Sequence, residues 1–447
     1  MSCKIHYSVG GYFLYSLGAI PSALPYNLIQ SFFVLFYGTK LGLGSNLTGI
    51  MLIVYGIWNA INDPIIGVIM DKRKTRWGRR IPYIVLGTIP LTIGFLLFWM
   101  VPWQSDTLIF IHGLIMLFLF DFGFTLAMTG WTALYTEMYE DEKERATVVA
   151  IKDLIAFLSS IVGIMIPPMI AAALGWGYAG LILGIFIPIT MLLSLLGSEE
   201  RKEYQIDEPL ALFPALKATF TNVPFIIIAL TYTLLDYIFG LTMTVLPLFS
   251  EFILKIDEGL LGFSVAGVAI GILAAIPFWR WIYAKRGPKF GLLLSIIIFG
   301  STIWLIFLVQ DFLGMILMAI LPGIGACGML MTELAISTAI DYDELKTGKR
   351  REASYNGIMT LVARLSIVFT GLTLIIIKYT TGFDVEKTYQ VPKALAGLKA
   401  LISYVPVITT ALAAMVFAFY PINQSRFNEM QRTLKQLHKE RRKKIEE

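Results

Sequence analysis

The stretch from Asn59 to Tyr83, NAINDPIIGVIMDKRKTRWGRRIPY, decides the fold. Asp63 stands in an apolar run, where a carboxylate is expensive in hydrocarbon, and Lys72, Arg73, Lys74, Arg76, Arg79 and Arg80 follow as a cluster of the kind that stays on the cytoplasmic side. Together they describe an integral membrane protein with an ionisable group inside the membrane.

Working outward, the whole chain has this character. Hydrophobic residues make up 57% of 447 and charged residues 15%, with a mean hydropathy of +0.72, far from the balance of a soluble domain. Apolar runs long enough to cross about 30 Å of hydrocarbon lie at 12–38, 47–70, 81–103, 107–138, 146–174, 176–197, 218–250, 259–282, 290–309, 312–340, 352–380 and 395–421, which predicts twelve transmembrane helices. Of the 36 Lys and Arg residues, 29 fall on the side of the two termini and six on the other, with Arg364 inside a helix. That asymmetry places both termini in the cytoplasm of a cell whose plasma membrane holds the protein. The net charge of +5 is spread over many short loops, which excludes a nucleic-acid partner. Cys3 and Cys327 are too far apart in sequence to suggest a disulfide framework, and the first apolar run lacks a cleavage pattern, so it reads as a retained helix.

The longest polar stretch before the tail, GSEERKEYQIDEPLALFPALK, divides the chain into a bundle over 1–197, a cytoplasmic linker over 198–217, a second bundle over 218–421 and a basic tail over 422–447. The halves echo one another: TEMYEDEKERATVV follows helix four and TAIDYDELKTGKRREASYNG follows helix ten, each running from acidic to basic to small residues. An all-α protein of two six-helix bundles is the architecture of many secondary transporters. The tail from Arg426 reads as a solvated helix, with an anionic lipid surface as the other reading.

IWNAINDPIIGVIMDKRKTRWGRR, DYDELKTGKRREASYNG at 341–357 and YSLG at 15–18 together resemble the glycoside-pentoside-hexuronide:cation symporters of the major facilitator superfamily. The resemblance spans both halves. It implies the major facilitator fold, a cation site on helices two and four, a substrate site between the bundles, and symport of a sugar or glycoside by alternating access. The family's two cation carboxylates fall on Asn59 and Asp63, with Asn62 and Thr125 beside them, so the first is an asparagine in this chain. Two carboxylates suit Na⁺, whereas a single carboxylate in a dry site can work as a proton carrier. Asp121 lies one turn before Thr125 on the same face, and helices two and four run in the same direction, which sets Asp121 near the level of Asn59. Asp63 and Asp121 are therefore expected to hold the coupling ion, Na⁺ or H⁺. The other reading of Asp121 is a solitary carboxylate bonded to a neighbouring helix.

The resemblance also places substrate contacts. The family's sugar-binding carboxylates fall on Ala23 and Met128, and its helix-eleven cation on Arg364, with Glu333 or Asp236 as an internal partner. Trp131, Thr132, Tyr135, Asn356 and Thr360 lie near the substrate region, and Lys152 and Asp153 open helix five. Trp131 could stack under a sugar ring or be packing. Asp71 and Arg73 in one half, with Asp341, Asp343, Glu344, Lys349, Arg350 and Arg351 in the other, are candidate gating charges that pair in one conformation and part in the other.

No cofactor is expected beyond the coupling ion, and the partners are a small solute, a monovalent cation and the bilayer, with the protein a monomer. An enzyme is disfavoured: His6, His112 and His438 are scattered, and neither a P-loop nor a serine elbow is present. Two other readings remain at this level. Lysophospholipid symporters are similar too, and Ala23 and Met128 make the cavity more apolar; a non-transporting sensor on the same scaffold is the third.

Overall fold

The computed structural model describes residues 8–72, 78, 80–139, 142–200, 221–347 and 352–446. Helices account for nearly all of them: α1 (Val9–Ser16), α2 (Ala19–Phe33), α3 (Gly44–Lys72), α4 (Ile81–Phe98), α5 (Asp106–Met138), α6 (Glu142–Leu174), α7 (Trp176–Gly184), α8 (Phe186–Leu196), α9 (Val223–Phe252), α10 (Ala266–Ile303), α11 (Phe312–Met329), α12 (Thr332–Thr347), α13 (Glu352–Ala363), α14 (Leu365–Thr381), α15 (Pro392–Ile402), α16 (Tyr404–Ala418) and α17 (Gln424–Glu446). A π-helical turn over Val34–Lys40 extends α2.

Eleven helical stretches among the described residues are long and apolar enough to cross a membrane. One of them, Glu258–Leu308, runs for 51 residues and turns at Gly287, whose φ of 79° is the left-handed region open to glycine, with Pro288 next in the chain. It therefore crosses twice, and the described residues make twelve crossings, as the apolar runs predict.

Several crossings are broken where the sequence pattern reads as continuous. α2, α8 and α16 each carry a proline at their third residue, namely Pro21, Pro188 and Pro406, and the preceding helix stops at Ser16, Gly184 and Ile402 respectively. Proline lacks an N–H and its ring collides with the carbonyl four residues back, so the helix must restart there.

The chain forms two compact units. The first comprises Met1–Pro209, Met243–Phe263 and Ile367–Leu395; the second comprises Leu210–Thr242, Ser264–Ser366 and Ala396–Glu447. In the first unit α4 and α5 cross backbone against backbone. A Cβ on Gly123 would lie 2.7 Å from both the Gly87 oxygen and Leu91 Cα, and one on Gly94 would lie 2.8 Å from Phe120 Cα. Small residues are what allow such an approach between membrane helices, where dispersion and not water expulsion holds the pair. In the second unit α10 and α11 do the same, a Cβ on Gly325 falling 2.6 Å from Phe299 Cα.

The tail corrects the expectation of a solvated helix. Met430 and Leu434, four residues apart on α17, are both buried, Gln431 Nε2 donates to Asp341 Oδ2 at 2.9 Å, and Arg426 lies 5.2 Å from the Tyr342 ring centre. One apolar stripe inside an otherwise basic helix is enough to seat it on α12.

Gly123 lies between Asp121 and Thr125, so the α4–α5 crossing sets their position. Gly123→Val is expected to overpack the crossing at a cost of roughly 1–3 kcal/mol, read as a lower unfolding midpoint in detergent, whereas Gly357→Ala, with open space around its Cβ position, leaves the midpoint unchanged or raised.

Candidate functional site

The polar cluster predicted on helices two and four is built within the first unit by α3 and α5. Asn59, Asn62, Asp121 and Thr125 are all at most 5% exposed, and Asp63 is half-buried. Their spacing explains the convergence: 59, 62 and 63 share one face of α3, and 121 and 125 share one face of α5.

Asn59 Nδ2 donates a short hydrogen bond to Asp121 Oδ1, and Asn62 Nδ2 donates to Asp121 Oδ2 at 3.0 Å. Asn62 Nδ2 also reaches Thr125 Oγ1 at 3.0 Å, and that hydroxyl donates to Asp63 Oδ1 at 2.7 Å. Asp121 and Asp63 are thus the two ends of one chain of neutral donors. Tyr55, one turn before Asn59, closes the cluster, its hydroxyl accepting from Asn59 Nδ2 at 3.2 Å and lying 3.4 Å from Asp121 Oδ1. Sequence reading missed Tyr55, although its i, i+4 spacing to Asn59 was the available signal.

One atom in the cluster is left over. Asn59 Oδ1 is buried and has no hydrogen-bond partner. Turning the amide over would bring that oxygen against the Asp121 carboxylate, so the orientation is fixed by electrostatics. A buried acceptor without a donor costs about 1–3 kcal/mol, and a small cation ligated by oxygens removes that cost. The oxygens of Asn59, Asp121, Thr125 and Asp63 are the hard donors such an ion prefers.

The substrate candidates separate. Trp131 is 2% exposed; its Nε1 donates to Ser194 Oγ at 3.0 Å and Tyr15 O at 3.3 Å, and its ring stacks on Tyr15 at 5.1 Å between centres. Its indole is packed among helices and not presented as a platform. Thr132 is exposed, with its hydroxyl returned to Met128 O at 2.8 Å. Lys152 lies 5.7 Å and Arg145 5.9 Å from the Tyr135 ring centre, and Lys152 pairs with Asp153 at 3.4 Å. Ala23 is half-buried and Met128 buried.

Arg364 belongs to the second unit and occupies the break between α13 and α14, with its amide donating to Thr360 O at 3.1 Å. Its charge acts on the half-buried Asp236, whose Oδ2 accepts from Ser366 Oγ at 2.5 Å. Glu333, the other partner considered, is exposed and makes no ion pair among the described residues. Of the gating candidates, Asp341 accepts from Gln431 while Asp343 and Glu344 are buried on α12. Arg73, Lys349, Arg350 and Arg351 lie outside the described residues, as do the side chains of Asp71 and Asn356.

Residues 14–424 match the family described as MFS/sugar transport protein. The chain belongs to that family. It is a multi-pass membrane transporter of the major facilitator superfamily and not an enzyme. It is 22% identical to an isoprimeverose transporter of Lactiplantibacillus pentosus, over 92% of this chain and 88% of that one. It is 24% identical to sodium-dependent lysophosphatidylcholine symporter 1 of Gallus gallus, over 88% of this chain and 82% of that one. The solved structure of a bacterial homologue of the human drug peptide transporters PepT1 and PepT2 superimposes with a TM-score of 0.65 at 13% identity, covering 96% of this chain and 99% of that one, a likeness of fold.

Trp131→Phe is expected to cost about 1–2 kcal/mol of stability through its lost hydrogen bonds while leaving the solute concentration for half-maximal uptake unchanged; a solute contact would move the second quantity.

Proposed function

We propose that this transporter couples the movement of a small organic solute, a sugar or glycoside, to a cation, Na⁺ or H⁺, bound by Asp63 and Asp121 with Asn59, Asn62 and Thr125. The observation that carries the reading is the chain of hydrogen bonds that joins two intramembrane carboxylates, Asp121 and Asp63, through Asn62 and Thr125, with the buried Asn59 Oδ1 left unpartnered beside it. Asp121 supplies from α5 the charge that the family pattern has at position 59 of α3. A cation that binds one orientation of the transporter more tightly than the other drives the cycle, because only a differential affinity shifts the population.

Within this reading, residues 1–197 and 218–421 act as two six-helix bundles joined by 198–217, and the protein works as a monomer in the plasma membrane with both termini cytoplasmic. Lys152, Thr132, Arg364, Asn356 and Thr360 contact the solute, and Asp71, Arg73, Asp341, Asp343, Arg350 and Arg351 serve the inner gate. Trp131 leaves the solute-contact set, since its indole is enclosed.

A second reading has its own support. Ala23 and Met128 cannot accept hydrogen bonds from sugar hydroxyls through their side chains, and a chain so changed suits an amphipathic solute such as a lysophospholipid.

Asp121→Asn and Asp63→Asn are each expected to raise the cation concentration for half-maximal uptake at least about tenfold, the effect of losing about 1.4 kcal/mol, in reconstituted vesicles tested in Na⁺, Li⁺ and over a pH series. Unchanged ion dependence in Asp121→Asn would remove it from the site. Thermal stabilisation of the purified protein by neutral glycosides but not by lysophosphatidylcholine is expected; the reverse selects the amphipathic solute.

A further inference from the structure

The end of the first unit remote from the basic loops gathers residues from both halves of the sequence. Lys40, closing the π-helical turn, pairs with Glu251 at 3.0 Å and Glu258 at 3.3 Å, and Glu258 also accepts from Trp176 Nε1 at 2.9 Å. Asp384, in the connection between α14 and α15, is 4% exposed. Its Oδ1 accepts from the Ser45 amide at 2.8 Å and its Oδ2 pairs with Lys378 at 2.6 Å, while Ser45 Oγ accepts from the Val385 amide at 3.1 Å.

Ser45 is the second residue of α3. Asp384 thus places a carboxylate on the N-terminus of α3, where the free amides and the helix dipole favour negative charge. Burial alone would raise its pKa, but the Lys378 hydrogen bond and charge and the Ser45 and Glu386 amides outweigh it and hold the carboxyl below its ordinary range. The same helix is pressed against α14 along its next turns. A Cβ on Gly49 would lie 2.8 Å from Gly371 O and 2.6 Å from Ile375 Cγ1, and one on Gly56 would lie 2.8 Å from Val368 Cγ2. Asn59 follows within one turn. The helix that carries the ion ligands is therefore capped and clamped at one end by residues from the other half of the sequence.

We propose that Asp384 on the α3 N-terminus and Lys40 between Glu251 and Glu258 form a latch that holds this end of the transporter shut, and that Asp384 is a positioning residue for the ion site through α3. The proposal rests on the symport reading above. With the latch closed, α3 is fixed at its capped end. Opening must strip the Ser45 amide from Asp384 and draw α14 away from Gly49 and Gly56, and that movement travels down α3 to Asn59, Asn62 and Asp63. Lys40 and Asp384 need touch neither ion nor solute to act in this way.

A covalent version of the latch tests it directly. A Cβ on Gly38 would lie 3.5 Å from Val385 Cβ, within the disulfide range of about 3.5–4.5 Å. In a chain with Cys3 and Cys327 replaced by Ser, the Gly38→Cys, Val385→Cys pair is expected to transport and exchange solute when reduced, to lose both on oxidation, and to regain both with dithiothreitol. Activity in the reduced form controls for folding. Equal exchange in the oxidised and reduced forms would overturn the latch. The absence of cation-stimulated uptake in the unmodified chain would instead count against symport.

The uncharged variants supply a second readout. Asp384→Asn and Lys40→Gln destabilise the shut state, so the open state gains population and the apparent solute KM on that side is expected to fall about threefold or more, with a lower maximal rate. A purely structural role would lower the rate and the unfolding midpoint without lowering KM, and that outcome also overturns the proposal.

Discussion

Asp121, accepting from the amides of Asn59 and Asn62, is the interaction on which the rest of this structure turns. A carboxylate in the middle of a membrane helix must be hydrogen-bonded, paired or visited by an ion, because hydrocarbon offers it nothing. Here α3 supplies two side-chain amides and α5 the carboxylate. Both amides have nitrogens turned toward the negative charge, and that leaves Asn59 Oδ1 without a donor. The cluster is satisfied on its donor side and open at one acceptor, the Asn59 oxygen.

The packing around that cluster follows from the need to bring the two helices close. Glycines at 87, 94 and 123 let α4 and α5 touch through their backbones, and the face of α5 that bears Asp121 and Thr125 is thereby turned to α3. Membrane helices gain little from apolar burial against one another, so close approach has to come from the absence of side chains. The same device recurs where Gly49, Gly56 and Gly371 bring α3 and α14 together, Gly56 lying within one turn of Asn59. The Asn59, Asn62 and Asp63 cluster and the close contact with α14 consequently share one helix.

Charge in this chain sorts by what surrounds it. Arg364 at a helix break acts electrostatically on the half-buried Asp236, Lys40 is shared by two glutamates, and Asp384 is held by Lys378 and a helix N-terminus. Each charge in these low-dielectric surroundings has an opposite partner or a backbone donor within reach, as desolvation demands. The tail is held by the buried Met430 and Leu434 together with the Gln431 bond to Asp341 and the Arg426 contact with Tyr342.

The class of the protein and the proximity of Asp121 to Asn59 are legible in the residues alone. Twelve crossings follow from run lengths against a fixed hydrocarbon thickness, and the neighbourhood of Asp121 and Asn59 follows from helical spacing on two parallel helices, so both are local arithmetic. The prolines at 21, 188 and 406 mark helix restarts just as locally, once their position in the first turn is recognised. Tertiary structure alone decided that Trp131 is enclosed by Tyr15 and Ser194, that Met430 and Leu434 seat the tail on α12, and that Asp384 caps a helix more than three hundred residues earlier in the chain. Those outcomes depend on which faces of distant helices meet, and no periodicity within one helix encodes the identity of its neighbour.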